Sequence, residues 1–161
     1  MRRLLPLLIL LVPSTAHAGT IDKSRHLWAT VNICDTPGNP DTVGIRAQMP
    51  GSGKSNERMY MRFRVQFLSP ADNKWHNFLA KGTDSGYVSV GSARYKARQS
   101  GWTFPFKLEP GQQYKLRGAA SFQWRRGTKV VRRAAKRTTK GHRTALSEPK
   151  GYSAATCVIK G

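Results

Sequence analysis

A two-residue period of apolar side chains limits most strongly what this chain can fold into. It is clearest between residues 59 and 67, where the apolar positions are Met59, Met61, Phe63, Val65 and Phe67. Because successive side chains of a strand point to opposite faces, this alternation predicts a half-buried β-strand. Similar short runs recur along the chain between turns rich in Gly, Pro, Asn and Asp, and no long amphipathic helix pattern is present. The sequence therefore predicts an all-β, antiparallel sandwich.

The same pattern gives approximate strand positions. We predict strands over 27–34, 43–49, 59–67, 75–80, 87–90, 93–97, 102–108, 115–125, 129–139 and 152–160. The segment 129–139 also fits a helix, since its small apolar residues recur at helical spacing. The tight turn at Gly127 and the threonine pair at its end favour a bulged strand instead. Pro105 marks its own strand as an edge strand or as the site of a bulge.

The start of the chain has the three parts of a cleavable export signal. It opens with two arginines, continues with an apolar run over 4–12, and reaches small residues at Ala16 and Ala18. The apolar run is less than half of the roughly 20 residues that a membrane-spanning helix needs. We therefore predict a signal peptide of bacterial type over 1–18, cleaved after Ala18, and a single secreted domain over 19–161 with no transmembrane anchor.

Two cysteines, Cys34 and Cys157, lie 123 positions apart, near the two ends of the predicted domain. In an oxidising compartment an even pair of this kind indicates a disulfide, and two cysteines allow only one connectivity. Such a bridge closes nearly the whole domain and places the first and last strands side by side. Neither cysteine has a further ligand-like residue at metal-site spacing, so we predict no metal centre there.

The charge of the chain is strongly positive. Removal of residues 1–18 leaves 26 basic residues against 8 acidic ones, a net charge of +18. A field of this size attracts polyanions, which include nucleic acid, phosphate polymers of the cell wall, acidic glycans and anionic lipid surfaces. The charge alone does not choose among these partners, and it is also compatible with a domain that is merely well solvated.

The positive charge is densest between residues 115 and 143, where eleven lysines and arginines occur without any acidic residue. On adjacent strands these side chains are expected to merge into one cationic sheet face that neutralises several phosphates or sulfates. Phe122 and Trp124 alternate onto the opposite side, which favours core packing over base stacking. The alternative is that the charges only keep an edge strand soluble and unpaired. The predicted polyanion-binding residues are Lys115, Arg117, Arg125, Arg126, Lys129, Arg132, Arg133, Lys136 and Arg137.

A second motif precedes this basic segment. Leu108, Pro110, Gly111 and Tyr114 form the pattern Leu-x-Pro-Gly-x-x-Tyr. It resembles the tyrosine corner of immunoglobulin-like and fibronectin type III-like sandwiches, where the hydroxyl bonds back to the turn. The resemblance implies that the strand after Tyr114 and the following hairpin are F and G strands. It departs from antibody domains at the position of their second cysteine, which is Leu116 here, and in an added C-terminal strand.

Catalytic motifs are weak in this sequence. The loop 50–55 looks like a phosphate-binding loop, but the first glycine of that motif is replaced by Gln48 and no helix pattern follows; we read it as a hairpin loop. A nuclease needs an acid–base pair, but candidates such as His76 with Glu57 cannot be placed together from the sequence, and His26 and His142 look like exposed edge and loop residues. The aspartates fall in turns without calcium-loop spacing. We predict no cofactor, no metal and no catalytic residue.

These observations lead to three functional hypotheses. The first is a non-catalytic secreted immunoglobulin-like domain that binds anionic envelope or extracellular polymers through a basic sheet face. The second is a small secreted basic hydrolase of nuclease type. The third is a cationic effector or adhesin that acts on other cells. The sequence favours the first because its basic segment is its most specific functional feature.

Overall fold

The computed structural model describes Ile21 and residues 23–161. The signal peptide predicted over 1–18 lies outside these residues. Within the part of the chain that is described, no helix is long and apolar enough to cross a membrane.

The described residues form strands joined by turns, with no helix among them. Nine strands follow one another along this described part of the chain, and most of the predicted apolar runs lie within them. In chain order the strands are β1 (Trp28–Thr36), β2 (Asn39–Pro50), β3 (Arg58–Leu68), β4 (Trp75–Asn77), β5 (Asp84–Ser92), β6 (Ala97–Pro105), β7 (Gln113–Arg126), β8 (Lys129–Arg137) and β9 (Cys157–Lys160).

The strands form two antiparallel sheets that pack face to face. One sheet has the order β1-β2-β6, and the other has β4-β3-β7-β8, with β5 also paired to β3 and β9 to β7. The predicted fold class is therefore confirmed: the chain is an antiparallel β-sandwich with an extra C-terminal strand.

The core lies between the two sheets and uses one face of each long strand. The odd-numbered residues of β3 from Met59 to Val65 are fully buried, as the alternation predicts, and they meet Val43, Ile45 and Met49 of β2. From β7 the even-numbered residues Phe122 and Trp124 enter the same core with no exposed surface. The opposite face of the large sheet is thereby left to the polar residues of β3 and β7.

The disulfide between Cys34 and Cys157 is present, with a Cα–Cα distance of 5.5 Å. It joins β1 of one sheet to β9 of the other, so the bridge spans the sandwich. The prediction that the first and last strands lie side by side needs correction, because β9 pairs with the start of β7. β1 pairs with β2 on one side, and on its other side it meets the segment before β9 through the isolated bridges Val31–Ala154 and Ile33–Glu148. Cys157 pairs with Leu116, the residue that takes the cysteine position of antibody domains.

Three local predictions were wrong. Residues 93–96, placed in a strand, form the turn between β5 and β6, and the strand predicted over 102–108 begins earlier and ends at Pro105. The loop 50–57 is not a hairpin loop, because β2 and β3 belong to different sheets. It crosses between the sheets, and Gly51 lies so close to the 93–96 turn that a Cβ there would stand 1.7 Å from the Tyr95 carbonyl oxygen.

Candidate anion-binding face

The outward side of the six-stranded sheet is where most strand-borne arginines collect. We call this side the cationic face. On β3 the outward positions alternate with the buried core residues, and on β7 and β8 the register brings their outward residues alongside. The basic members of the face are Arg58, Arg62, Arg64, Lys115, Arg117, Arg125, Arg133 and Arg137.

Aromatic rings on this face hold several guanidinium groups in place. The Arg125 guanidinium lies 4.1 Å from the ring centroid of Tyr60 and 5.2 Å from that of Tyr87. The Arg117 guanidinium lies 4.3 Å from the Trp75 ring, and its Nε donates to Gln66 Oε1 at 2.8 Å. Stacking of this kind covers the rings and leaves the outer guanidinium surface to solvent. The face therefore presents fixed positive charge rather than open aromatic surfaces.

Not all the predicted polyanion-binding residues share this face. The five that lie on it are Lys115, Arg117, Arg125, Arg133 and Arg137. Arg132 and Lys136 pair with the core residues Trp124 and Ala120, so they lie on the other side of β8. The guanidinium of Arg132 rests 5.5 Å from the Trp124 ring centroid, at the rim of the core. Arg126 and Lys129 sit at the tip of the β7–β8 hairpin, away from the centre of the face.

The anion-binding residues predicted from the sequence did not include the three arginines of β3 that lie on the cationic face. Arg58, Arg62 and Arg64 pair across the sheet with Arg125, Ser121 and Ala119. They were visible as the polar half of the clearest alternating strand in the sequence. Only the pairing of β3 with β7, which joins residues about 60 positions apart, turns them into part of one surface with the basic segment.

One acidic side chain, Asp84, accompanies the arginines in the strands of this sheet. Arg62 binds it with both Nε and Nη2, and the Nε–Oδ1 distance is 2.8 Å. The hydrogen bonds from Arg62 hold the pKa of the Asp84 carboxyl below its ordinary value. Arg62 is thus largely neutralised, and the remaining arginines of the face determine its net charge.

The tip of the β7–β8 hairpin is anchored by a buried carboxylate. Glu57 is 1% exposed, and its Oε1 lies 3.2 Å from Arg126 Nη2 and 3.7 Å from Lys54 Nζ. Burial raises the pKa of this carboxyl. Hydrogen bonds from Ser52 and Arg126 lower it, as do the charges of Lys54 and Arg132, and the net pKa lies below the ordinary glutamate value. The loop that looks like a phosphate-binding loop therefore holds the protein's own carboxylate.

Glu57 gives a pH-dependent test of this anchor. Because its folded pKa is below the unfolded value of about 4.3, its stabilisation is present above roughly pH 5 and is lost as the pH falls through the folded pKa. We expect Glu57→Gln to lower the free energy of unfolding by about 1–3 kcal/mol at pH 7. Urea unfolding between pH 3 and 7 should show a smaller acid loss in the variant than in the parent. Glu109→Gln, at an exposed position, is the matched control; equal acid loss in parent and Glu57→Gln would contradict the anchor.

The tyrosine-corner residues lie at the entrance to β7. The turn contains Gly111 at φ +82°, and Gln112 Oε1 accepts from the Glu109 backbone N–H at 3.0 Å. Tyr114 follows at the second position of β7, and its ring packs edge-on against Phe67 and Phe78. Among the described residues the Tyr114 hydroxyl makes no hydrogen bond to the turn, so its ring is what fixes this end of the sandwich.

The structure does not bring His76 together with Glu57, the acidic residue that the sequence suggested as its catalytic partner. Glu57 precedes β3 and His76 pairs with Phe67 near its end, so they are separated by most of a strand that spans roughly 30 Å. His76 instead contacts Asp72 at 2.7 Å in an exposed turn.

His142, predicted to be exposed, stacks at 4.7 Å on Trp28, and burial lowers its pKa. Within Ile21 and 23–161, no three His, Cys, Asp or Glu side chains group as metal ligands do.

Comparison of the chain with known protein families and with curated proteins gives no match. The geometry of the cationic face is therefore the basis for assigning a function.

Proposed function

We propose that this protein is an exported, non-catalytic binding domain whose cationic face holds anionic polymers of the cell envelope or extracellular medium. The observation that carries the proposal is the density of fixed positive charge on one face of the six-stranded sheet, with a single acidic residue, Asp84, among the strands of that sheet. Arginines held by packed rings lose less conformational freedom on binding than free ones. They are therefore suited to repeated contacts along a charged chain.

The chemistry of the face favours polymers recognised by charge over nucleic acid recognised by its bases. Proteins that bind single strands stack successive bases on open aromatic rings. On the cationic face, Tyr60, Tyr87 and Trp75 are already covered by arginines. The core positions of Phe122 and Trp124 remove two more rings from that role. Acidic glycans and phosphate polymers, which have charge but no bases to stack, fit this surface better.

Export is part of the proposal and is supported by the sequence of residues 1–18 and by the disulfide. A bridge between Cys34 and Cys157 is compatible with an oxidising compartment outside the cytoplasm. A relation to immunoglobulin-like and fibronectin type III-like domains is supported by the strand order and by the turn before β7. Folds of this kind carry many unrelated functions, so the function rests on the face itself.

The test is the salt dependence of binding to an immobilised sulfated polysaccharide such as heparin. If about five anionic groups are neutralised, the affinity should fall about 100-fold to 1,000-fold between 50 and 200 mM salt. Arg58→Gln with Arg133→Gln removes two exposed charges of the face and should weaken binding at 100 mM salt by about tenfold or more.

The matched control is Lys96→Gln with Lys150→Gln, which removes two exposed charges from loops outside the sheets. It should weaken binding by less than about threefold, through the loss of long-range attraction alone. Equal losses in the two double variants, or elution of the parent protein at very low salt, would argue that the charge serves solubility only.

A further inference from the structure

A depression on the cationic face has a floor made of small side chains. Ala119 and Ser121 of β7 and Ala135 of β8 point outward there, in a region otherwise occupied by longer polar and charged side chains. The depression has a volume of about 520 Å³, and Arg64 and Arg137 line it. Larger side chains at the three small positions would fill it, whereas the present ones leave the space between the two arginines open.

The two arginines stand on opposite sides of this floor. Arg64 of β3 and Arg137 of β8 are both cross-strand partners of Ala119. Neighbouring strands are about 4.8 Å apart, so the two side chains begin roughly 10 Å apart with an alanine between them. With their strands at this distance, the two guanidinium groups can bind one anion from opposite sides. Burial lowers the pKa of the Arg117 guanidinium, and the charge of Arg137 lowers it further. Arg117 is therefore a third cation close to the two arginines.

Arg64, Arg137 and Ser121 have hydrogen-bonding groups beside the depression that are not used within the described residues. The Nε of Arg64 is buried and has no hydrogen-bond partner among the described residues. In the same part of the chain, neither the Arg137 guanidinium nor the Ser121 hydroxyl makes a hydrogen bond. The carboxylate of Asp84 is engaged by Arg62. A buried donor without an acceptor in a cationic depression indicates that the missing partner is water or a bound anion.

We infer that this depression is a seat for one tetrahedral oxyanion, a sulfate or phosphate ester carried by the polymer, held between Arg64 and Arg137 over Ala119 and Ser121. The inference rests on the proposed function and narrows its ligand class. A carboxylate has two oxygens in one plane and is satisfied by a single bidentate arginine. A sulfate or phosphate group has three terminal oxygens directed to different sides, which matches donors arriving from β3, β8 and the floor. Polymers charged only by carboxylates would then bind the face without using the seat.

The first test uses inorganic sulfate and acetate as probes of the exported protein, followed by amide NMR at constant ionic strength. Sulfate should shift the amides of Ala119, Ser121 and Ala135 along a saturating curve, and acetate should shift them at least about fivefold less. Arg64→Gln with Arg137→Gln should abolish the local response, whereas Arg58→Gln with Arg133→Gln, which removes equal charge from the same face, should retain it. Sulfate shifts spread evenly over the face would overturn the seat.

The second test fills the seat without changing the charge. Ala119→Leu should weaken binding to a sulfated oligosaccharide by about fivefold, and Ser89→Leu, on the outward side of β5, should leave it within twofold. Neither substitution should alter binding to a carboxylate polymer such as polygalacturonate. Polyphosphate in place of the sulfated probe separates the two sources of the oxyanion. Thermal unfolding of each variant shows whether it has folded.

The outcomes separate the seat from the proposed function. If the polymers do not bind but sulfate saturates locally, the seat stands and the polymer-binding function fails. If the polymers bind with steep salt dependence while Ala119→Leu has no effect and sulfate responses are uniform, the function stands and the seat fails.

Discussion

Replacement of both cysteines by serine should lower the free energy of unfolding by about 4–5 kcal/mol, the largest effect we expect from any pair of side chains. The reason is the length of the closed loop: the bridge joins residues 123 positions apart and so removes much of the freedom of the unfolded chain. For a domain of this size the thermal midpoint should fall by about 10–20 °C. Urea unfolding at pH 7 measures the change.

Two comparisons make this result interpretable. Reduction of the parent protein by dithiothreitol should reproduce the loss seen in Cys34→Ser with Cys157→Ser, since both open the same loop. The single variant Cys34→Ser should behave like the double one. A loss below about 1 kcal/mol would contradict this reason, because it would mean that the bridge removes little freedom from the unfolded chain.

Replacement of Trp124 by alanine should lower the free energy of unfolding by about 3–5 kcal/mol. Its side chain is fully buried at the end of the core, and its Nε1 donates to the Pro50 carbonyl oxygen at 3.0 Å. The substitution leaves a cavity and an unpaired carbonyl group, and it also removes the ring on which Arg132 rests. Chemical unfolding followed by circular dichroism gives the value.

Trp124→Phe is the matched control for the ring itself. It keeps an aromatic side chain in the core but loses the hydrogen bond to Pro50, so the cost should be only about 1–2 kcal/mol. Binding of this variant to a sulfated polymer should equal that of the parent protein. A loss of binding by a phenylalanine variant that is still folded would show that Trp124 takes part in recognition, contrary to its position in the core.

The fold class could be predicted from the sequence because the strongest pattern, the alternation of residues 59–67, reflects a local requirement. Whether a residue of β3 is buried depends only on which face of that one strand its side chain occupies. The two-residue period of the sequence shows which face this is. The disulfide was predictable for a similar reason, since two cysteines in an oxidising compartment leave one pairing. The turn at 93–96 was not predictable in this way, because its backbone carbonyl groups are held by Gly51 and Gly53 of a distant loop.

The composition of the cationic face was only partly predictable, and a single extra residue explains part of the gap. The β7–β8 register shifts between Trp124 and Arg125, where Val131 is left as the additional residue. A bulge of this kind reverses the facing of every later side chain on the strand. As a result Arg133 and Arg137 point outward, while Arg132 and Lys136 lie on the core side. The residues before the bulge gave no indication of where it would fall.

The position of the disulfide also determines how the domain carries mechanical load. Tension applied outside the bridge acts first on the residues of β1 before Cys34 and on those of β9 after Cys157, and it then passes through the sulfur–sulfur bond instead of through the strands between the two cysteines. About 400 Å of extended chain stays inaccessible to stretching while the bridge is closed. A protease cut in any loop between the cysteines likewise leaves the two pieces covalently joined. The part of the domain between the two cysteines can in this way be pulled, or nicked, without the chain separating into two pieces.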